Sequence, residues 1–412
     1  MAWPMSRATL LPVLTTALLC SAAPTKAQDF PDGPGKETFT QVCGACHDIN
    51  RARAGYTPEG WRTVMQMMIN FDGAGPKDQI ETLTQYLIKS FPEKARPPAK
   101  IIDGPVQATI KLWDVPTPGS RPHDPLATKD GAIWYTGQLS GKLGRVDPKT
   151  GAIKEYPLKT PHTGPHGLVE DKDGNIWFTG NHAALIGKLN PKTGEVTEYK
   201  MPDPKVKDPH SLAIAPDGIV WFTAQQSNAV GRVDPKTGEV KVVQVPTPRS
   251  RPYGILINPQ GVPTLCLFGT NKLATIDPKT MEIKEYTLPN AASRPRRIAI
   301  TPDGAIWYAD FSRGYLGRFD PATGAHKEWP SPSGAQSQPY GIVFAKGAIW
   351  YNESFAKPNT IVRFDPKTEA FQTWAIPGPG GGDIVRKMDV TPEGNPVTAN
   401  SLVNKVGLIE VK

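Results

Sequence analysis

Residues 164–200 read GPHGLVEDKDGNIWFTGNHAALIGKLNPKTGEVTEYK, and their reading decides the fold. Four short segments stand out: PHGLVE, NIWFTG, LIGKL and VTEYK. Each is rich in β-branched or aromatic residues, and each is bounded by Gly, Asp, Asn or Pro. Such segments are too short for helices and predict four strands joined by tight turns. One such sheet cannot bury its own faces, so the unit must be stacked on copies of itself.

The copies are present. The opening element recurs as RPHDPLA at 121, DPHSLAI at 208, RPYGILI at 251, RPRRIAI at 294 and QPYGIVF at 338. The prolines at 122, 165, 209, 252, 295 and 339 are 43 or 44 residues apart. AIWYTG, IVWFTA, AIWYAD and AIWYNE follow in phase, then turns of the DPKTG type, then outer strands such as IKEYPL and HKEWPSP. Four-stranded units at this period predict propeller blades. Six are clear, and a seventh begins at 385, in VRKMDVTPEGNPVTANSLVNKVGLIEV, without a final strand. ATIKLWDVPTP at 108–118 supplies the missing one, so the N-terminal strand closes the last blade and removes an open sheet edge. The predicted fold is an all-β seven-bladed propeller over 106–412, preceded by a small all-α domain at 28–95 and a Pro-, Lys- and Ala-rich linker at 96–105.

The all-α part carries a different signal. Cys43-Gly44-Ala45-Cys46-His47 has the C-x-x-C-H spacing of c-type haem attachment. Cys43 and Cys46 would form thioethers to one covalent haem, and His47 would ligate its iron. Helices are expected over Gly35–Val42, Gly60–Asn70 and Lys77–Phe91. On the second, Trp61, Val64, Met65 and Met68 share a face, while Met67 points elsewhere. Met68 is the first choice for the other iron ligand and Met65 the second. A thioether ligand favours reduced iron and raises its potential, which suits electron transfer.

Arg7 followed by the apolar run Leu10–Ala23 and small residues up to Ala27 reads as a secretory signal over 1–27, which places the protein in the periplasm. No later segment reads as transmembrane. Cys20 would leave with the signal, and Cys266, in TLCLF, reads as a buried core thiol, so no disulfide framework forms. The net charge of +8 is dispersed over repeated lysine-bearing turns, with no basic stripe interleaved with aromatics. That pattern excludes nucleic acid as a partner. The expected partner is a periplasmic redox protein or a small-molecule substrate.

The repeat P-H-G … DG-x-IWFT … IGR-x-DP-x-TG … EY resembles that of the virginiamycin B lyase (streptogramin lyase) family of seven-bladed propellers, over roughly residues 106–412. The front part resembles c-type cytochrome domains fused to periplasmic redox enzymes, where W-x(6)-M supplies the second haem ligand; here that spacing joins Trp61 to Met68. The first resemblance implies an elimination that opens a lactone, with a histidine base in an E-P-H context and Mg2+ held by glutamates. His210, in Asp208-Pro209-His210, matches the base position, but its tryptophan strand ends in Ala224. The acidic strand ends, Asp310 and Glu353, belong to the blades of Arg296 and Tyr340; His123 and His166 pair with Gly137 and Gly180. No blade keeps both partners.

Inner strands of a propeller line its central channel. The residues after the repeat prolines therefore form a ring: His123, His166, His210, Tyr253, Arg296, Tyr340, then Arg386 or Lys387. Three readings stay open. His210 could be a base, with Asp208, Asp310 or Glu353 as acid or Mg2+ ligand. His123, His166 and His210 could hold a transition metal, since neutral imidazoles suit one. Arg296, Arg297, Arg386 and Arg251 could hold a carboxylate by bidentate bonds. His162 and His182 read as loop residues, and His326 as a surface residue of an outer strand. At the level of function, a periplasmic haem electron-transfer protein with a binding propeller comes first. A Mg-dependent carbon–oxygen lyase with a fused cytochrome and a non-catalytic module that docks the cytochrome are the alternatives.

Overall fold

Each repeat folds as one antiparallel four-stranded sheet, and the described residues hold seven of them. The structure, a computed structural model, describes residues 30–45, 48–378 and 384–412. The expected signal segment, Cys46 and His47 lie outside the described residues. Blades one to six run 122–157, 165–200, 209–244, 252–287, 295–330 and 339–375. The seventh takes Val385–Val390, Pro396–Asn400 and Lys405–Val411 from the end of the chain and Ala108–Asp114 from its beginning. The closing pair runs antiparallel from Ala108 opposite Val411 to Asp114 opposite Lys405.

The repeat sequence explains the sheet. The tryptophan of the second strand is buried and stacks on the outer strand, Trp177 on Tyr199 at 5.3 Å and Trp350 on Trp374 at 5.4 Å. The aromatic residue that follows turns to the other face and lies across the third strand. Gly187 makes that possible, because a Cβ there would stand 2.0 Å from Phe178. The turn before each outer strand is built by its first residue. In blade one Asp147 Oδ1 accepts from the Lys149 amide at 2.9 Å, and Gly151 takes φ 74°.

The inner strands carry a further device. Each slips register just past its first residue: Pro122 faces Gly137 and Pro125 faces Tyr135, which leaves one extra residue between them. All seven blades repeat this bulge. A bulge re-aims side chains. Here it sets two consecutive residues of each strand towards the channel.

The helical unit consists of α1 (Lys36–Val42), α2 (Pro58–Asn70) and α3 (Ile80–Ser90). Thr57 caps α2 by accepting from the Gly60 amide at 3.0 Å, and Pro58 opens it. The third helix begins later than expected, because Lys77–Gln79 is a tighter 3-10 turn with no side-chain cap before it. Phe39, Trp61, Met65, Leu83, Tyr86, Leu87 and Phe91 form the core, and Trp61 Nε1 donates to the Phe91 carbonyl at 2.7 Å.

This unit rests on the propeller loops that lead into the inner strands. Asn70 donates to the Pro118 carbonyl at 2.8 Å. The Phe71 ring lies between His162 and His182, at 4.8 and 5.1 Å, and Asp72 pairs with His162 at 3.3 Å. Gly119 meets the backbone of Gln66 and Met67, where a Cβ would come within 2.8 Å. Met67 does point away from the helix face of Met68, and it is buried. The stretch expected to be a linker does not hang free. Its backbone bonds along blade six, from Pro97 and Ala99 with Lys357 to Ile102 with Thr373. Among the described residues no helix is long and apolar enough to cross a membrane.

Candidate functional site

The ring expected from the repeat register forms at the channel end covered by the helical unit. His123, His166 and His210 stack side by side, with ring centroids 3.8 Å apart in each step, and Tyr253 continues the arc 4.0 Å from His210. Across the channel Arg296 lies 3.8 Å over the Tyr340 ring, with Phe311, Phe268 and Tyr253 also around it. The Tyr253 and Tyr340 hydroxyls share a short hydrogen bond. Arg386 takes the seventh place and donates from Nε to Ser401 at 3.2 Å.

The bulge supplies a second layer: Arg297 and Lys387, already candidates from the sequence, and Asp124 and Ser211, which the one-position reading of the repeat missed. Arg297 reaches across the channel, 3.1 Å from Asp124 Oδ1 and 2.8 Å from Ser211 Oγ. Asp124 also accepts from His123 Nδ1 at 2.8 Å and lies 3.8 Å from Lys387 Nζ. Below this layer the channel widens into a cavity of about 410 Å³ with aliphatic walls. A repeat read at one residue per blade shows one ring; the extra residue of each bulge becomes visible only once strand pairing is known.

The hydroxyl of the IWFT motif links neighbouring blades. Thr136, Thr179 and Thr223 each accept from an inner-strand amide of their own blade and donate to the carbonyl of the next ring residue, His166, His210 and Tyr253. Cys266 is buried as expected, and it occupies the same station. Its Sγ accepts from Gly254 and donates to the Arg296 carbonyl at 3.0 Å, and burial pushes the thiol up to about 12.

Burial, then neighbouring positive charge, holds the imidazoles of His123 and His210 well below their ordinary range. At neutral pH they are uncharged. His166 is lowered in the same way by burial and by the two flanking histidines, and its Nδ1 has no hydrogen-bond partner. Burial works to raise the Tyr340 phenol, but Arg296, Arg386 and Arg297 outweigh it and draw the group down.

The three acidic candidates do not meet. Asp208 accepts from Asn181 and from the Gln226 amide, and burial raises its carboxyl to about 6. Asp310 binds the Arg294 amide and Arg313. Glu353 is enclosed by Ser331, Ser333 and Thr360. Each carboxylate is committed to loops of its own part of the propeller. Within reach of one another are instead His123, Asp124 and His166, whose ligand atoms lie within 4.8 Å. Arg251 stands over Phe268 at 5.5 Å. His326 is not the free surface residue expected, because Tyr308 bonds its Nε2 at 2.8 Å and covers it.

In the helical unit Met65 is buried in the core, whereas Met68 and Val64, one turn apart, stay partly open along with Cys43, Ile49 and Ile80. All five pack on the rim of this core, and Met68 carries the partly open thioether of α2. A partly open thioether beside apolar side chains fits an iron-bearing apolar macrocycle.

The sequence pattern of the virginiamycin B lyase family matches residues 99–381. Among solved structures, a streptogramin B lyase is 26% identical, covering 74% of this chain and 98% of its own, with a TM-score of 0.68. A virginiamycin B lyase from Staphylococcus aureus is 23% identical over 74% of this chain and 99% of its own, with a TM-score of 0.67. A hydrazine synthase from Kuenenia stuttgartiensis, at 15% identity and a TM-score of 0.58, shares the fold, covering 71% of this chain and 95% of its own. No curated protein matches the chain.

Proposed function

The chain belongs to the virginiamycin B lyase family, and from that premise we propose that it is an exported electron-transfer protein with one covalent haem, whose propeller seats a small substrate or redox partner beneath the helical unit. The observation that carries this reading is that Met68 is partly open on α2 while Met65 and Met67 are buried, on a unit that sits over the ring-bearing end of the channel. Cys43 and Cys46 would hold the haem, with His47 and Met68 as its iron ligands. The haem would supply one-electron chemistry.

The protein's own residues do the rest. Cys43 follows α1 directly and is fixed by that helix. Phe71, wedged between two loop histidines, and the Glu93–Lys357 ion pair at 2.5 Å hold the helical unit in register over the propeller. The ring imidazoles are buried and uncharged, so they offer neutral hydrogen-bonding edges to whatever sits at the channel end. An elimination moves no net electrons and has no use for a haem. The lyase reading also lacks its acidic partner for His210, because Ala224 ends that strand and Asp208, Asp310 and Glu353 are otherwise engaged.

The test is a visible spectrum of protein matured in the periplasm, oxidised and reduced, with iron analysis on the same sample. The expected result is a c-type spectrum that survives denaturation and one iron per chain. Met68→Ala should abolish the far-red band of His/Met iron, and Met65→Ala should keep it. Protein without covalent haem, yet opening a lactone with Mg2+, would replace this reading with the lyase.

A further inference from the structure

Where the helical unit meets the channel, positive charge outnumbers its partners. Arg121 precedes His123, and its guanidinium is covered close to Arg386, Tyr56 and Tyr340. Arg296 is enclosed by four aromatic rings and leaves its Nε without a partner. Among the described residues Arg386 donates to the Ser401 hydroxyl. None of the three has a carboxylate partner among the described residues. Asp124 is already shared by Arg297, Lys387 and His123. Asp389 lies further along the channel, where it accepts from the Ala127 amide at 2.8 Å. All three are half-buried, and a charge drawn partly out of water without a counter-charge is unfavourable. The strain reads out at Arg121, where burial and then the Arg386 charge pull the guanidinium down to about 10.

Two alternatives are weaker. A divalent metal on His123, Asp124 and His166 has ligand atoms within 4.8 Å and the unpartnered Nδ1 of His166 in its favour. It would, however, enter among four guanidiniums and a lysine and compete with Arg297 for Asp124. Loss of the Tyr340 proton would neutralise one charge, in contact with Arg296, and leave the others. An external anion answers the whole set, because guanidiniums bind carboxylates through paired donors and lose less on leaving water than ammonium groups do.

We infer that the collar formed by Arg121, Arg296 and Arg386 binds a small carboxylate at the channel mouth, next to the neutral edges of His123 and His210. This deepens the proposed seating of a substrate beneath the helical unit, but it stands on the charge and burial of the propeller and not on the haem.

The test uses full-length mature protein at pH 7 and low salt, with oxalate, acetate and inorganic phosphate as probes. Calorimetric titration and thermal shift read binding, and the ultraviolet difference spectrum reads tyrosinate. Oxalate is expected to bind once per chain and to raise the melting temperature. Arg121→Gln and Arg386→Gln should each weaken it by about tenfold or more. Arg386→Lys, which keeps the charge and the fold but removes the fork, should weaken it too. No binding of any probe, with a tyrosinate signal that Tyr340→Phe removes, would overturn the inference, since the collar would then neutralise itself. Binding of Zn2+ or Cu2+ that is lost in His166→Ala, without anion binding, would also overturn it in favour of the metal. The haem spectrum of the same sample keeps the two proposals apart. A c-type spectrum without anion binding sinks only the carboxylate, and anion binding without haem sinks only the electron-transfer reading.

Discussion

The propeller and the helical unit are built on opposite economies. In the propeller every structural decision is made about seven times, so each residue can be compared with its counterparts. Trp134, Trp177, Trp221, Trp307 and Trp350 occupy one station, where Thr264 departs, just as Cys266 departs from the threonine station and Arg296 from the ring histidines. In the helical unit each decision is made once, and a single small core around Trp61 holds three short helices. Repetition therefore teaches which residues are structural and which are local choices. A unit without repeats can be read only through motifs whose chemistry is specific, as with Cys43 to His47.

The largest test of this contrast is removal of one repeated anchor. Trp177 is fully buried, stacks on Tyr199 and donates to Asp171 at 2.9 Å. Trp177→Ala should cost about 3–5 kcal/mol. Calorimetry should show the propeller transition moving down, while the spectrum of the proposed haem, held by the helical unit, stays unchanged. A loss below about 1 kcal/mol would mean that neighbouring blades carry a defect that the packing argument assigns to this one.

A smaller effect separates the two regions by pH. The three ring histidines are held below their ordinary range, chiefly by burial, so the unfolded chain takes up protons that the folded propeller refuses. Their stabilising contribution is complete above the unfolded value near 6.5 and is lost as pH falls below it. At pH 5 the loss is up to about 2 kcal/mol for each histidine. The propeller transition should therefore fall between pH 7 and pH 5, and His166→Gln should flatten that fall. A transition that rises on acidification would show that the histidines are charged in the folded state, and the neutral ring would be wrong.

The sequence showed the blades, their number and the closure by the N-terminal strand, because each of these rests on period and apolar pattern. It also showed the first ring, because repeat register alone brings His123, His166 and His210 to one end of the channel. Asp124 and Ser211 stayed hidden, and Arg386 and Lys387 read as alternatives, since only the bulge turns the next residue inward as well. Arg121 was hidden for another reason. It lies before the repeat proline, at φ 55°, and its place beneath the helical unit depends on how two units dock. No periodicity encodes a contact made once. The carboxylates were legible as residues but not as partners: Glu353 reads as an acid at a strand end, and only the fold shows three hydroxyl groups closing over it.

Cys266 offers the finest test, because it is an exception inside the repeated region. Three blades use a threonine hydroxyl to tie their own inner strand to the next ring residue, and the fourth uses a thiol to reach the Arg296 carbonyl. If the station is a link between blades, oxygen and sulfur should serve alike. Cys266→Thr should then change stability by less than about 0.5 kcal/mol, whereas Cys266→Ala, which leaves a buried carbonyl without its donor, should cost about 1–2 kcal/mol. Chemical denaturation of the two variants decides it. Should Ala prove as good as Thr, the thiol fills space only, as Ala309 does at the same station in the next blade. The carbonyl of Arg296 would then need no tether, and the arginine collar would be held by its aromatic packing alone.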